Sequence, residues 1–132
     1  MSKEIKSILI VDDILGWRNH HYGALRELLG EKVLIEGASC AREAYDKVYN
    51  KMNEPYEVVI TDLQMENDFE PDYAGEWLVK QIKLLSAYAK TKIIIVSAAY
   101  NVKFIADKLC VECIPKSVAA KFLSSYEIVR EI

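Results

Sequence analysis

The chain has 132 residues and a formal charge of −3, a length that suits one domain around one core and a charge that argues against wholesale binding to nucleic acid or an anionic membrane. It is 52% apolar and 28% charged, ordinary for a globular protein, and no apolar run approaches the roughly 20 residues that span a bilayer. The N-terminal Met1–Lys6 lacks the apolar region and cleavage site of a signal peptide, and three cysteines supply no disulfide framework, so a reducing, cytoplasmic setting is expected.

Strand-like and helix-like segments alternate along the whole chain. Ser7–Val11 is an apolar, β-branched run that stops at Asp12-Asp13. A helical stripe follows through Ile14, Trp17, His21, Leu25 and Leu28, with Gly30 suited to its end. Lys32–Ala38 reads as the second strand, and Ala41, Ala44, Tyr45, Val48 and Met52 carry the next stripe. Glu57–Thr61 is the third strand and ends at Asp62. A connection from Leu63 to Tyr73, long for a strand-to-helix loop, leads to the stripe Ala74, Leu78, Ile82, Leu85 and Ala89. Ile93–Ser97 is the fourth strand, and a short helix is expected from about Val102 to Leu109 with Asn101 as its N-cap. Val111–Ile114 is a weaker fifth strand, followed by a stripe through Val118, Phe122, Tyr126 and Val129.

Strands one, three and four are continuous apolar runs, the mark of strands covered on both faces of a parallel sheet. Five β–α units with right-handed crossovers give an α/β sandwich. At this length the flavodoxin-like, doubly wound (βα)5 order 2-1-3-4-5 fits, as one domain over residues 1–132.

In such a sheet ligands bind beyond the carboxyl ends of the strands. Strand one delivers Asp12 and Asp13 there, strand three Asp62, strand four Ser97, and strand five Lys116. Crowded carboxylates repel, and burial makes their charge costlier still. A hard cation such as Mg2+ relieves that cost and leaves room for phosphate oxygens. Lys116 adds a second positive charge, so a phosphoryl group fits between the two, with a carboxylate as nucleophile and a hydroxyl to hold an oxygen.

The set Val11-Asp12-Asp13, Asp62, Ser97-Ala98 and Lys116 resembles the receiver domain of response regulators in two-component signalling, over Ile8 to about Val129. The resemblance implies that Asp62 is the phosphoacceptor, fed by a sensor histidine kinase or phosphotransfer protein. It implies Asp13 as direct Mg2+ ligand, Asp12 as a ligand through water, and the backbone carbonyl of Gln64 as a further ligand. Ser97 would bond the phosphoryl group and Lys116 would pair with one of its oxygens. The shift would be read by an output protein or domain at the surface of the fourth helix, fifth strand and fifth helix. The resemblance also leaves room for a homodimer, and it implies self-catalysed phosphotransfer and dephosphorylation with no separate substrate turned over.

Four features depart from that family's pattern. The family's lysine is followed by proline through a cis bond; here Pro115 precedes Lys116 and Ser117 follows it. A non-proline cis bond costs about 3–4 kcal/mol, so a trans loop or a strained one is expected. Pro115 itself is tolerable on an edge strand. Cys113 stands where the family's switching aromatic sits, with Tyr100 the nearby candidate to replace it. The loop after Asp62 is long and carries Glu66, Asp68, Glu70 and Asp72. The stretch from Ser97 to Lys116 is short, which predicts a reduced fourth helix.

Other features favour plain structural roles. The acidic loop Glu66–Asp72 lacks the glycine and glutamate spacing of a calcium loop and reads as solvated; a lid or partner contact is the lesser alternative. Cys110 and Cys113 have redox-motif spacing but straddle a strand, so small buried core residues are expected. His20 and His21 are adjacent on a helix and cannot share one site; His21 reads as packed or half-buried. Trp17 and Trp77 are expected in core packing. A phosphorylation-independent interaction module is the competing function. An aspartate-nucleophile phosphatase would want Asp-x-Asp where this chain has Asp-Asp-Ile, and no glycine-rich loop supports nucleotide binding. The chain ends just past the fifth helix, which suits either a stand-alone receiver or a piece of a larger regulator.

Overall fold

The computed structural model describes residues 4–65 and 74–131. Five parallel strands form one sheet in the order β2-β1-β3-β4-β5. The strands are β1 Ser7–Val11, β2 Leu34–Ala38, β3 Val58–Thr61, β4 Lys92–Ser97 and β5 Glu112–Pro115. The helices are α1 Leu15–Leu29, α2 Ala41–Asn50, α3 Ala74–Lys83, α4 Val102–Leu109 and α5 Lys116–Lys121. A short 3₁₀ turn, Ser86–Tyr88, follows α3, and a 3₁₀ segment, Leu123–Arg130, follows α5. The expected order and parallel sense of the sheet are what the structure has.

The continuous apolar strands work by alternation. Ile8, Ile10, Val58, Ile60, Ile94, Val96 and Ile114 point to one face, where they meet Ala24 and Leu25 of α1 together with Tyr126 and Val129. Leu9, Val11, Val59, Ile93 and Ile95 point to the other, against Ala44 and Val48 of α2, Leu78 and Ile82 of α3, and Ile105 and Ala106 of α4. With a side-chain period of two, both sets must be apolar, hence the unbroken runs. The edge strand β2 is less covered, and Leu34 stays exposed.

Several boundaries differ from the sequence expectation. β2 begins at Leu34 rather than Lys32, because pairing with β1 starts at Ser7 opposite Leu34. β5 runs from Glu112 to Pro115, one residue later than expected, with Pro115 opposite Ser97 at its end. Pro115 does lie on the sheet's edge strand, as expected. α3 stops at Lys83, so Ala89 falls beyond it and is exposed. Ile14 is exposed and precedes α1 as its N-cap rather than joining its buried stripe.

The largest correction is at the C-terminus. A single helix was expected through Val118, Phe122, Tyr126 and Val129. Phe122 instead takes an extended conformation, with φ −125 and ψ 106, and is exposed together with Val118. The chain then resumes as 3₁₀, where a three-residue spacing puts Tyr126 and Val129 on one buried face. The short α4 matches its expected span, with Asn101 at the N-cap position but without a side-chain capping hydrogen bond.

Candidate phosphoacceptor site

The order of the sheet reverses between β1 and β3, which opens a crevice at their carboxyl ends. Backbone pairing continues one step past each strand: Asp12 N–H donates to Ala38 O at 3.1 Å and Asp62 N–H to Val11 O at 3.0 Å. The two aspartates are thereby held side by side at the rim. Asp12, Asp62, Ser97 and Lys116 are all buried, and Asp13 is half-buried.

Carboxylate oxygens of Asp12, Asp13 and Asp62 lie within 4.8 Å of one another. Lys116 Nζ donates to Asp62 Oδ2 at 2.8 Å and lies 3.0 Å from Asp12 Oδ2. The other oxygens are held by backbone: Asp12 Oδ1 accepts from Ile14 N–H at 2.9 Å, and Asp62 Oδ1 from Leu63 N–H at 2.7 Å. Arg18 Nη1 donates to the Asp12 carbonyl at 2.6 Å, tying α1 to the same loop. Ser97 Oγ accepts from Ala99 N–H at 3.2 Å at the head of the loop after β4. The ends of β1, β3 and β5 therefore bring Asp12, Asp13, Asp62 and Lys116 together, and Ser97 ends β4 opposite Pro115, the residue before Lys116.

The electrostatics follow from this crowding. Burial pushes the Asp12 carboxyl above its ordinary value, by more than the Ile14 N–H and Lys116 pull it down, and Asp62 adds repulsion. Burial works against the Lys116 charge, but the bonds and charges of Asp62 and Asp12 outweigh it and hold the ammonium above its usual range.

Three carboxylates and one ammonium leave an uncompensated negative balance. Asp12 Oδ2 is buried and receives no aligned hydrogen bond, although the ammonium is near. A hard, oxygen-seeking divalent cation fits that donor set. Asp12, Asp13 and Asp62 would hold it, and Gln64, whose carbonyl is the further ligand expected from the sequence, follows Asp62 by two residues.

The departures have structural outcomes. No cis peptide occurs among the described residues. β5 passes straight into α5, so Lys116 is the first residue of that helix and still reaches Asp62. Cys113 is half-buried against the core, whereas Cys110 is exposed, which corrects the expectation that both are buried. Cys110 sits in the left-handed region, φ 59, where it closes α4, so its side chain is turned outward. Tyr100 is 97% exposed. The acidic loop Glu66–Asp72 lies outside the described residues.

His21 is packed, the first of the two expected outcomes, and fully buried, with Nδ1 2.7 Å from the Tyr126 hydroxyl. Desolvation, then His20 and Lys116, lower its pKa to about 3, so it is neutral. Trp77 is half-buried beside Tyr45, as core packing requires.

Three residues of the site were missed by sequence reasoning. Trp17 does pack against the core as expected, but the Lys116 ammonium also stands 4.9 Å from its ring centre. Arg18 gave no signal, since a single arginine on a helix is commonplace. Gly75 in α3 abuts Asp62: a Cβ there would lie 1.9 Å from the Asp62 carbonyl oxygen. The small pair Ala74-Gly75 at a helix start was the available hint.

No protein-family model and no curated protein matches the chain. Solved structures do match. The chemotaxis response regulator CheY4 of Vibrio cholerae shares 20% identity over 95% of this chain and 98% of its own, with a TM-score of 0.69. The receiver domain of a DNA-binding response regulator (merR) from Colwellia psychrerythraea 34H shares 25% identity over 85% of this chain and 86% of its own, TM-score 0.69. The phosphorylated cyanobacterial phytochrome response regulator RcpA shares 20% identity over 95% and 89%, TM-score 0.71. The fold is the flavodoxin-like fold of these receiver domains.

Proposed function

We propose that this chain, built on the receiver fold, is a phosphoacceptor module that takes a phosphoryl group onto Asp62 and changes a partner-binding surface in response. The observation that carries the reading is the Lys116 ammonium 2.8 Å from Asp62 Oδ2 and 3.0 Å from Asp12 Oδ2. A buried lysine bridging two carboxylates beside a third is an arrangement ready to take in a phosphoryl group.

The donor is the phosphohistidine of a sensor kinase or phosphotransfer protein. An Asp62 carboxylate oxygen attacks phosphorus, a P–O bond forms, and the P–N bond to the donor imidazole breaks. Lys116 follows the new negative charge from the carboxylate to a phosphoryl oxygen, and the Ser97 hydroxyl donates to another. Mg2+, held by Asp12, Asp13, Asp62 and the Gln64 carbonyl, would neutralise charge on the transferred group. Hydrolysis of the acyl phosphate resets the module, and no separate substrate is turned over. Movement at Ser97 and Lys116 passes to α4, β5 and α5, where Phe104, Val118 and Phe122 are exposed and available to an output partner.

Intact-mass measurement after a small acyl-phosphate donor plus Mg2+ tests this. Wild type should gain one phosphoryl group, and Asp62→Asn or removal of Mg2+ should abolish the gain. An unmodified wild type would sink the proposal. Partner binding that is the same with and without beryllofluoride would favour the phosphorylation-independent interaction module instead.

A further inference from the structure

Attraction to Asp62 and Asp12 does not by itself explain why Lys116 stays in one place. Its side chain has four rotatable carbons and about 2 kcal/mol of rotamer entropy to lose. It opens a six-residue helix, α5, and is followed by Ser117 rather than a rigid residue. An ammonium has three donor directions. One is taken by Asp62 Oδ2 at 2.8 Å, and Asp12 Oδ2 lies 3.0 Å away as an ion-pair partner. Another side is covered by the Trp17 indole, with Nζ 4.9 Å from the ring centre, inside the range of a cation–π contact.

The ring is itself confined. Trp17 is half-buried against the α1 face of the core. His20 meets it edge-on at 5.2 Å and His21 lies 5.5 Å away. His21 is locked in turn by the Tyr126 hydroxyl at 2.7 Å, and His20 Nε2 bonds to Ala119 O of α5 at 2.9 Å. The indole thus packs against two histidines of its own helix that are anchored to Ala119 of α5 and to Tyr126. Trp17 also stands in the first turn of α1, directly after the loop that supplies Asp12 and Asp13, its N–H closing on Ile14 O at 3.0 Å.

We propose that Trp17 is a positioning residue for Lys116, its indole face holding the ammonium over the Asp12–Asp62 pair. This rests on the phosphoacceptor reading for its functional consequence, while the contact itself does not. The aromatic wall limits where the lysine can swing, so the ammonium is already aimed when a phosphoryl group reaches Asp62. Any aromatic ring at position 17 should serve in part, and an apolar side chain without a ring should not.

The test compares wild type with Trp17→Phe and Trp17→Leu, each first shown to be folded by thermal unfolding. Three quantities are read: the NMR position of the Lys116 ε-methylene protons, assigned with Lys116→Arg; the rate of phosphorylation by an acyl phosphate; and the affinity for Mg2+ alone. The expected result is an upfield ring-current displacement in wild type and Trp17→Phe that is lost in Trp17→Leu. Trp17→Leu should be phosphorylated about tenfold more slowly and Trp17→Phe within about threefold of wild type, as a desolvated cation–π contact implies. Mg2+ affinity should be unchanged in all three. An undisplaced Lys116 methylene in wild type would overturn the contact. A wild-type rate in Trp17→Leu, or a parallel loss of Mg2+ affinity, would overturn the positioning role. A displaced methylene in a wild type that takes no phosphoryl group would overturn the phosphoacceptor reading and the positioning role with it, leaving the contact standing.

Discussion

His21 shows how far one side chain can depend on its surroundings. It is buried, neutral and hydrogen-bonded to Tyr126, with a pKa lowered to about 3. In the unfolded chain the same imidazole titrates near its ordinary value of 6.5. Between those two values the unfolded state binds the extra proton, so acid favours unfolding. The stabilisation is therefore complete above about pH 6.5 and is lost as pH falls toward 3. From pH 7 to pH 5 this one group should cost about 2 kcal/mol. The double variant His21→Phe/Tyr126→Phe removes both polar partners together. Urea unfolding at the two pH values should show a drop smaller by that amount than in wild type; an equal drop would mean the imidazole is not held neutral.

At the scale of elements, two contacts set how helices meet the sheet. α3 approaches the end of β3 so closely that Gly75 N–H donates to Leu63 O at 2.9 Å. An added Cβ would come within 1.9 Å of the Asp62 carbonyl oxygen and 2.8 Å of Leu63 Cα. These are backbone atoms, which cannot rotate away. Gly75→Ala should lose at least about 2 kcal/mol despite alanine's better helix propensity, measurable as a lower denaturant midpoint, and should slow phosphorylation by displacing Asp62. α4 ends differently. Cys110 N–H reaches Asp107 O and Val111 N–H reaches Ala106 O, a closing turn that needs a left-handed residue. A β-carbon is disfavoured there, so Cys110→Gly should raise stability by about 0.5–1 kcal/mol in the same assay. A loss of stability would show that the thiol makes a contact worth more than the strain.

Across the whole molecule, the site and the fold are coupled through charge. The strands converge on a buried cluster that is stable only when its carboxylates find positive partners. One ammonium meets part of that demand. A cation that binds the folded state and not the unfolded chain must stabilise the protein by mass action, about 2.7 kcal/mol at a hundredfold excess over Kd. Thermal unfolding with Mg2+ and with a chelator should therefore differ in wild type and coincide in Asp13→Ala. Coincidence in wild type would remove the cation from the account of this site.

The sequence by itself determined the sheet. Unbroken apolar runs such as Ile93–Val96 need cover on both faces, and only a parallel, helix-sandwiched sheet provides it. The same runs ended where Asp12, Asp13, Asp62, Ser97 and Lys116 begin, so their convergence followed from topology. The C-terminal segment was not legible, because Val118, Phe122, Tyr126 and Val129 are spaced acceptably for one helix. In the folded chain it turns at Phe122, which brings Tyr126 against His21. The roles of Trp17 and Gly75 were likewise settled by tertiary contact. A tryptophan on an amphipathic helix and a glycine at a helix start have no signature of their own. What they do depends on which residue, 99 positions away for Trp17 and Lys116, the fold brings against them.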